Sequence, residues 1–192
     1  MKRALPSILS LLLLAAGPSA AQDADLRAGA FSPPRPAPAF LLRGSDGAAL
    51  ELTRYRGKVV VLVFGFTSCS SVCPTTLATL AQARRKLGAD AEDFQVVYVT
   101  VDPERDDAAR MREYLAKFDP SFVGGTGSEE ELAVVRNEYG ILARKVEAGS
   151  GYSVAHSSYT YLIDRAGRLR GLMPYGSSAD DYAHDLAILL EE

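Results

Sequence analysis

The chain has 192 residues, of which 47% are hydrophobic and 23% charged, with 16 Gly, 10 Pro and two Cys. This composition is that of an ordinary globular protein and excludes a disordered chain, a collagen and a coiled coil. The length suits one domain with a full hydrophobic core. The formal net charge of −3 lacks the basic surplus of a nucleic-acid-binding protein. Two cysteines are too few to frame a disulfide-rich mini-protein.

The first 21 residues have the pattern of an export signal. Lys2 and Arg3 precede an almost wholly apolar run, Ile8 to Ala16, and small residues follow up to Ala21. The apolar run is shorter than the roughly 20 residues that span a bilayer. We therefore predict a signal peptide over residues 1–21, with a retained membrane anchor as the alternative. The mature chain is then periplasmic or otherwise exported, in a compartment where thiols can oxidise.

A Pro- and Ala-rich stretch separates this signal from the rest of the chain. Residues 22–39 include four prolines between positions 33 and 38. Regular helices and central strands exclude proline, so we interpret this stretch as an extended linker or arm. We place the folded domain in residues 40–192.

Residues 40–192 alternate between strand and helix patterns. A hairpin signal over 40–52 comes first, and a continuous apolar run over 59–66 predicts a strand buried on both faces. The other predicted elements are helices over 74–87, 106–118 and 128–139, strands over 94–101, 159–163 and 169–172, and a C-terminal helix around 182–190. The helix over 128–139 starts with a capping-box pattern, Ser128 followed by Glu131.

This order of elements predicts an α/β fold with a mixed sheet flanked by helices. Strand, helix, strand and helix, followed by a hairpin and a last helix, is the order of a thioredoxin-like domain. The hairpin over 40–52 is then an N-terminal addition to that domain.

Both cysteines lie between the first buried strand and the helix after it. Ligand sites in open α/β sheets lie at the carboxyl ends of strands. Cys73 falls next to a helix N-terminus, which favours a thiolate. Cys69 comes four residues earlier, so the two sulfurs can meet, either bonded to one another or on one metal ion. A disulfide closing so short a loop contributes only about 2 kcal/mol, which favours a functional pair over a structural cross-link.

Three kinds of chemistry remain open for this pair. A thiol–disulfide oxidoreductase needs only two thiols with different pKa values, although it commonly spaces them Cys-x-x-Cys and here three residues intervene. A metal site needs a further ligand, and two thiolates with one imidazole suit copper better than a four-ligand structural zinc site. A peroxiredoxin-like peroxidase would use Thr67 with the cysteines, but no arginine is convincingly placed to activate peroxide.

Two histidines are available as that further ligand. His184 lies in the C-terminal helix, away from its apolar stripe, and is expected at the surface. His156 comes just before the strand predicted over 159–163. In a thioredoxin-like sheet the loop that enters this strand lies against the cysteine loop, which makes His156 the candidate.

Three segments carry distinctive motifs, namely Thr67–Pro74 with Cys-x-x-x-Cys-Pro, Thr100–Asp106 (TVDPERD), and His156–Ser157 ahead of Tyr161–Asp164. In this combination and order they resemble the SCO/SenC family. The resemblance covers about residues 40–192. It implies a thioredoxin-like fold, an exported or membrane-tethered location, and copper binding. It also implies a role in metallating the copper centre of cytochrome c oxidase subunit II, or in reducing the cysteines of that centre.

The resemblance assigns roles to individual residues. Cys69, Cys73 and His156 are the implied copper ligands. A disulfide between Cys69 and Cys73 would abolish copper binding, so that the site is redox-gated. Asp102 is expected near the site rather than on the metal, where a carboxylate orients His156 or recognises a partner. Departing from the usual pattern, Ser70 follows the first cysteine where family members often have proline.

Two further residues of the TVDPERD segment, Arg105 and Asp106, are expected to form a local ion pair and a helix cap. Thioredoxin-like reductases generally carry a cis-proline that faces the cysteines. No proline occurs between residues 149 and 163, which favours metal binding over reduction.

The sequence therefore predicts an exported copper-binding protein. Copper would pass by ligand exchange to cytochrome c oxidase subunit II or to another copper-accepting protein, with no nucleic acid involved. The alternative is a periplasmic thiol–disulfide oxidoreductase that keeps the cysteines of a client protein reduced.

Overall fold

The structure, a computed structural model, describes residues 26–192. The signal peptide predicted over residues 1–21 lies outside this range. Across residues 26–192, no helix combines the length and the apolar character needed to cross a membrane.

The described chain folds into ten strands and four α-helices, with short 3₁₀ turns over 52–55 and 88–93. The strands are β1 (Gly29–Pro36), β2 (Leu41–Gly44), β3 (Ala49–Glu51), β4 (Val59–Gly65), β5 (Phe94–Thr100), β6 (Val123–Thr126), β7 (Ala143–Ala148), β8 (Gly151–His156), β9 (Thr160–Ile163) and β10 (Arg168–Met173). The helices are α1 (Val72–Leu87), α2 (Ala108–Leu115), α3 (Glu129–Glu138) and α4 (Ala179–Glu191).

Eight of these strands form one mixed sheet in the order β1-β10-β9-β4-β5-β6-β2-β3. The central strands β4, β5 and β6 are parallel, while β9 runs antiparallel against β4 and β2 antiparallel against β6. Helix α1 packs against α4, and α2 packs against β6. The predicted mixed α/β sheet with an N-terminal β2–β3 hairpin is thus confirmed.

The pairing of β4 with β5 determines where the loops with chemistry lie. The two strands pair without interruption from Val59 opposite Phe94 to Gly65 opposite Thr100. All of β4 is buried, because its continuous apolar sequence has neighbours on both edges and both faces. Both strands end at the same edge of the sheet, so the loops that follow Gly65 and Thr100 are adjacent.

Helix starts follow the expected capping chemistry in most cases. The capping box predicted at Ser128 and Glu131 is present. Helix α2 begins at Ala108, and its cap is Asp107, whose carboxylate accepts from the Arg110 amide. Asp106, expected as a helix cap, is not the cap, because its side chain points into the core instead. Helix α1 begins two residues before Pro74, which therefore sits in its first turn.

The sheet extends into the segment interpreted as a linker. Residues 29–36 form strand β1, which pairs antiparallel with β10 at the sheet edge. The pairing is irregular between Ala30 and Arg35, where two prolines lie. Proline is compatible with an edge strand because one side of that strand needs no donors. The folded unit therefore starts before residue 40.

Two elements lack a signal in the sequence. Strand β6 reads Val-Gly-Gly-Thr, and its glycines give no strand pattern. Strands β7 and β8 form a separate two-stranded sheet in which a single residue, Val154, is buried, so no clean apolar alternation marks them. His156, expected in a loop, is the last residue of β8.

The chain that leads into β1 is fastened by a buried carboxylate. Asp185 of α4 is fully buried and accepts hydrogen bonds from the backbone amides of Arg27 and Ala28, both at 2.8 Å. His184 lies beside it with 38% of its side chain exposed, and its Nδ1 is 2.9 Å from the Asp185 carboxylate. Helix α4 thereby ties the N-terminal strand to the domain.

Replacing this carboxylate tests the fastening. Asp185→Ala leaves two backbone amides without their acceptor, and we expect it to lower the free energy of unfolding by about 1.5–3 kcal/mol. Urea denaturation measures the loss. The control is Asp180→Ala in the same helix, which breaks the exposed pair with Lys86 and should cost at most about 1 kcal/mol. Equal effects of the two substitutions would contradict the fastening role.

Candidate functional site

The cysteine loop starts where β4 ends and runs into helix α1. The Cys69 amide donates to the Phe66 carbonyl at 3.2 Å, which turns the chain sharply after the strand. Cys73 lies in the first turn of α1 and is 3% exposed, whereas Cys69 is half-buried. Both cysteines are free thiols, at the sheet edge predicted for the site.

The Cys69 sulfur takes the place of a helix cap. Ser71 precedes α1, but its side chain caps nothing, and the Cys73 amide donates to Cys69 Sγ at 3.4 Å. Burial raises the pKa of the Cys69 thiol, while backbone N–H groups of Cys73, Ser71 and Val72 lower it, and the pKa falls below its usual value. A thiolate at this position is stabilised by the free amides of the helix N-terminus.

Cys73 has the opposite environment. Burial raises the pKa of its thiol to about 12, although the Phe66 backbone and the Tyr98 hydroxyl favour its thiolate. The Tyr98 side chain is fully buried beneath it. Gly65 leaves room for both groups, because a Cβ added there would overlap Tyr98 Oη and lie 2.9 Å from Cys73 Sγ. The site therefore has one accessible, acidic thiol and one deep, weakly acidic thiol.

His156 faces the deeper cysteine. Its Nε2 is 3.8 Å from Cys73 Sγ, and its Nδ1 is 2.8 Å from the Ser157 carbonyl oxygen. Because a carbonyl only accepts, Nδ1 carries the proton, and the neutral ring presents its Nε2 lone pair to the sulfur. Burial lowers the pKa of His156 despite the Ser157 carbonyl, which keeps the ring neutral. The Phe66 ring meets the imidazole edge-on, with centroids 5.8 Å apart.

Asp106 supports the cysteine loop from below, a role that sequence reasoning missed. Its buried carboxylate accepts from the Thr67 amide at 2.9 Å, the Thr67 hydroxyl at 2.5 Å and the Thr100 hydroxyl at 2.7 Å. Arg110 adds a hydrogen bond from its Nε to Thr67 Oγ1 and another to Ser68. The adjacent Asp106 and Asp107 look alike in the sequence, and only burial shows which one is the cap and which the support.

Asp102 also lies close to the site, on the neighbouring loop. Its carboxylate is buried and accepts from Arg105 Nε at 2.5 Å and from the Tyr152 hydroxyl at 2.8 Å. Arg105 therefore pairs with Asp102 rather than with Asp106. Within the described chain, the hydrogen bonds of Asp102 do not include His156, whose Nδ1 is held by the Ser157 carbonyl.

The donor atoms converge loosely instead of forming a closed cage. In residues 26–192, no three Cys, His, Asp or Glu side chains are arranged as a ready-made metal site. Cys73 and His156 are in contact. The Cys69 sulfur lies beside Cys73, because it accepts a hydrogen bond from the Cys73 backbone amide. These donors are two soft sulfurs and one imidazole nitrogen with a free lone pair, a set whose chemistry fits copper.

Solvent reaches these groups through a cavity of about 250 Å³. Its walls include Phe66, Cys69 and His156. His156 also borders an open apolar hollow of about 550 Å³, next to the exposed Leu142. His156 thus contributes to the lining of both cavities.

The fold and the site define a class of protein, a thioredoxin-like domain with two cysteines at the end of its central strand and a histidine facing them. The family model described as SCO1/SenC matches residues 31–191. The chain belongs to the SCO1/SenC family, as the resemblance predicted.

Curated relatives match about two thirds of the chain or less. An SCO2-like protein of Rickettsia conorii is 33% identical over 132 residues, which cover 67% of this chain and 64% of the relative. The mitochondrial SCO2 homolog of Mus musculus is 41% identical over 117 residues, covering 59% of this chain and 46% of the relative. The matched region spans less than two thirds of each relative.

Solved structures share the fold. ScoI of Bradyrhizobium japonicum with copper bound has a TM-score of 0.74 and 34% identity, covering 80% of this chain and 99% of its own. Copper-bound ScoI of Arabidopsis thaliana has a TM-score of 0.76 and 31% identity, covering 81% and 98%. BsSco, a member of the Sco family of cytochrome c oxidase assembly proteins with a disulfide switch, is 23% identical with a TM-score of 0.66, and covers 82% and 95%.

The difference between the two thiols predicts their order of reaction. Cys69 has a lowered pKa and is accessible, so its alkylation by iodoacetamide should reach half its maximal rate at a pH below that of a free cysteine thiol. Cys73, with a pKa raised to about 12, should react far more slowly at neutral pH. Rates measured on Cys73→Ser and Cys69→Ser isolate each thiol. Equal rates for the two variants would contradict this asymmetry.

The close approach at Gly65 predicts a second outcome. Gly65→Ala pushes a methyl group against Tyr98 Oη and Cys73 Sγ, and we expect it to lower the free energy of unfolding by about 1–3 kcal/mol and to change the alkylation rate of Cys73. Adding Tyr98→Phe removes the nearest atom and should restore part of the stability. Urea denaturation of the single and double variants measures both steps. Unchanged stability of Gly65→Ala would show that this contact is not tight.

Proposed function

We propose that this protein is an exported copper metallochaperone that holds copper through Cys69, Cys73 and His156 and delivers it to a copper-accepting protein. The observation that carries the proposal is the orientation of His156. Its proton is on Nδ1, bound to the Ser157 carbonyl, and its Nε2 lone pair faces Cys73 Sγ at 3.8 Å. In this tautomer Nε2 can accept a hydrogen bond from the protonated Cys73 thiol and, once that thiol is deprotonated, is free to bind a metal ion together with the sulfur.

The donor set and the relatives support copper as the cargo. Soft thiolates with an imidazole favour copper over the hard cations that carboxylates bind. Family members from Bradyrhizobium japonicum and Arabidopsis thaliana carry copper in their structures. Fixing one imidazole nitrogen through a carbonyl raises the basicity of the other, which is the usual arrangement of a metal-binding histidine.

The openness of the site suits delivery rather than storage. Cys69 is half-buried, and a cavity of about 250 Å³ opens to solvent beside it and His156. Donor groups of a partner can therefore enter and replace the chain's own ligands one at a time. The partner we propose is cytochrome c oxidase subunit II or another copper-accepting protein, as the family resemblance implies. BsSco is itself counted among cytochrome c oxidase assembly proteins.

We further propose that the thiol pair is a redox gate. Cys69 and Cys73 adjoin each other at the N-terminus of α1. A two-electron oxidant, such as the disulfide of another protein, takes two electrons and two protons from the thiols, and the Cys69–Cys73 disulfide that forms removes two of the three donors. The proposed export to the periplasm, by the signal segment at residues 1–21, places the pair in a compartment where this oxidation occurs.

A thiol–disulfide oxidoreductase that keeps client cysteines reduced is the second candidate function. The specific observation in its favour is the asymmetry of the thiols. A half-buried Cys69 with a lowered pKa suits nucleophilic attack, and a fully buried neighbour suits resolution of the mixed disulfide. This chemistry requires both cysteines but not His156.

Copper titration of the reduced chain separates the two functions. We expect one equivalent of Cu(I) to bind in competition with a chromophoric chelator. Binding should be lost in Cys69→Ala and Cys73→Ala and weakened at least about tenfold in His156→Ala, because each removes one donor atom. Oxidising the pair to the disulfide should have the same effect as removing the cysteines.

His184→Ala is the matched control, since this histidine lies on α4 beside Asp185 and should leave copper binding unchanged. Full copper affinity in His156→Ala would overturn the ligand assignment. A disulfide-reductase assay on the same variant, with the activity retained, would then support the oxidoreductase.

A further inference from the structure

The element that carries His156 is not part of the main sheet. Strands β7 and β8 pair only with each other, from Ala143 opposite His156 to Ala148 opposite Gly151. A lone two-stranded hairpin is at best marginally stable in water. The position of the imidazole relative to Cys73 therefore depends on the side-chain contacts that hold this hairpin to the domain.

Tyr152, at the start of β8, makes the most extensive of these contacts. Side chains alternate along a strand, so Tyr152 and His156 lie on the same face of β8. The Tyr152 hydroxyl donates to Asp102 at 2.8 Å, and its backbone carbonyl accepts from Arg105 at 3.0 Å. The Arg105 guanidinium also lies 3.9 Å above the Tyr152 ring centroid, within the range of a cation–π interaction.

Asp102 fixes Arg105 in this position. The Asp102 carboxylate is 1% exposed and pairs with Arg105 Nε at 2.5 Å. The Arg105 backbone amide donates to the Asp102 carbonyl at 3.2 Å, which closes a turn directly after β5. Arg105 is therefore joined to Asp102 twice, through its side chain and through its backbone. Because the Asp102 carboxylate is buried, the Arg105 guanidinium has little freedom to move.

Arg105 also reaches the other end of the site. Its guanidinium lies 5.7 Å from the Phe66 ring centroid, and Phe66 meets the His156 ring edge-on at 5.8 Å. One arginine thus contacts the hairpin four residues before His156 and the aromatic ring that adjoins His156. An outer ion pair between Lys145 of β7 and Glu104, at 2.5 Å, ties the hairpin to the same loop, but both side chains are exposed and the pair is correspondingly weak.

We propose that Arg105 is a positioning residue for the metal site. Together with Asp102 and Tyr152 it forms a latch that holds the β7–β8 hairpin against the sheet and keeps His156 Nε2 directed at Cys73. The inference rests on the proposed copper-binding function for its metal readout, and a second readout on the metal-free chain is independent of that function.

A double-mutant cycle tests the latch in the reduced full-length chain. Cu(I) affinity is measured by chelator competition for the wild type, Arg105→Ala, His156→Ala and the double variant. Arg105→Ala should weaken binding about tenfold, the lower end of the effect of removing a group that orients a ligand. In the His156→Ala background it should have less than about a twofold effect, because the latch acts through a side chain that is no longer present.

The metal-free readout is the imidazole itself. In Arg105→Ala, NMR of the ring nitrogens should show His156 leaving its single tautomer and averaging between the two, and amide exchange in β8 should accelerate. Arg105→Lys keeps the charge but loses the fork that joins Asp102 to the Tyr152 carbonyl, so it should resemble Arg105→Ala. Tyr152→Phe keeps the ring under the guanidinium and should show a smaller change.

Arg144→Ala is the matched control, because Arg144 lies on the same hairpin and its exposed side chain makes no hydrogen bond to the described residues. It should leave copper affinity and the His156 ring signals unchanged. Equal losses of affinity from Arg105→Ala in both backgrounds, or unchanged ring signals in folded Arg105→Lys, would overturn the latch. A wild type that binds no Cu(I) would refute the proposed function, and the NMR experiment would still decide on the latch.

Discussion

Parallel pairing of β4 with β5, in unbroken register up to Gly65 and Thr100, is the constraint from which the site follows. Because the two strands end together, the cysteine loop and the Asp102–Asp106 loop leave the sheet side by side. Asp106 can then accept hydrogen bonds from Thr67 and Thr100 at once. A slip of one residue would place Asp106 away from the cysteine loop and exchange the two buried faces of the slipped strand.

The β7–β8 hairpin packs at the same end of the sheet, where β4 and β5 end. Its histidine meets a sulfur in the first turn of α1, and its tyrosine meets a carboxylate that follows β5. Three segments far apart in the sequence thus converge on one end of the sheet. The chemistry of the site is a property of this convergence, since Cys69 and Cys73 alone are compatible with a redox pair as well as with a metal site.

Much of the fold could be predicted from the sequence, for identifiable reasons. Strands β4 and β5 are continuous apolar runs, and Ser128 with Glu131 forms a local cap, so both are set by short-range pattern. Strand β6 and the β7–β8 hairpin carry little apolar alternation, and their strand pairing depends on neighbours that only the folded chain provides. The edge strand β1 has no strand pattern, because its prolines are as typical of an extended linker as of a sheet edge.

The residues of the site also fall into those that the sequence makes conspicuous and those that it does not. The cysteines and His156 are conspicuous because few residue types have their chemistry, and the family resemblance brings them together. The groups that tune them are ordinary residues in ordinary sequence, such as the Ser157 carbonyl, the Tyr98 hydroxyl and the buried Asp106. No local pattern distinguishes Asp106 from Asp107. Packing decides between them.

The unequal depth of the two sulfurs has a consequence for the direction of any exchange. Cys73 is 3% exposed, while Cys69 sits half-buried at the cavity mouth. A visiting donor must therefore collide with the outer sulfur before it can influence the inner one. For the proposed copper cargo, one path through the mouth means that the inner sulfur is bonded last on entry and released first on exit. The different depths of the two sulfurs are therefore enough to set the sequence of contacts, and no conformational change is needed.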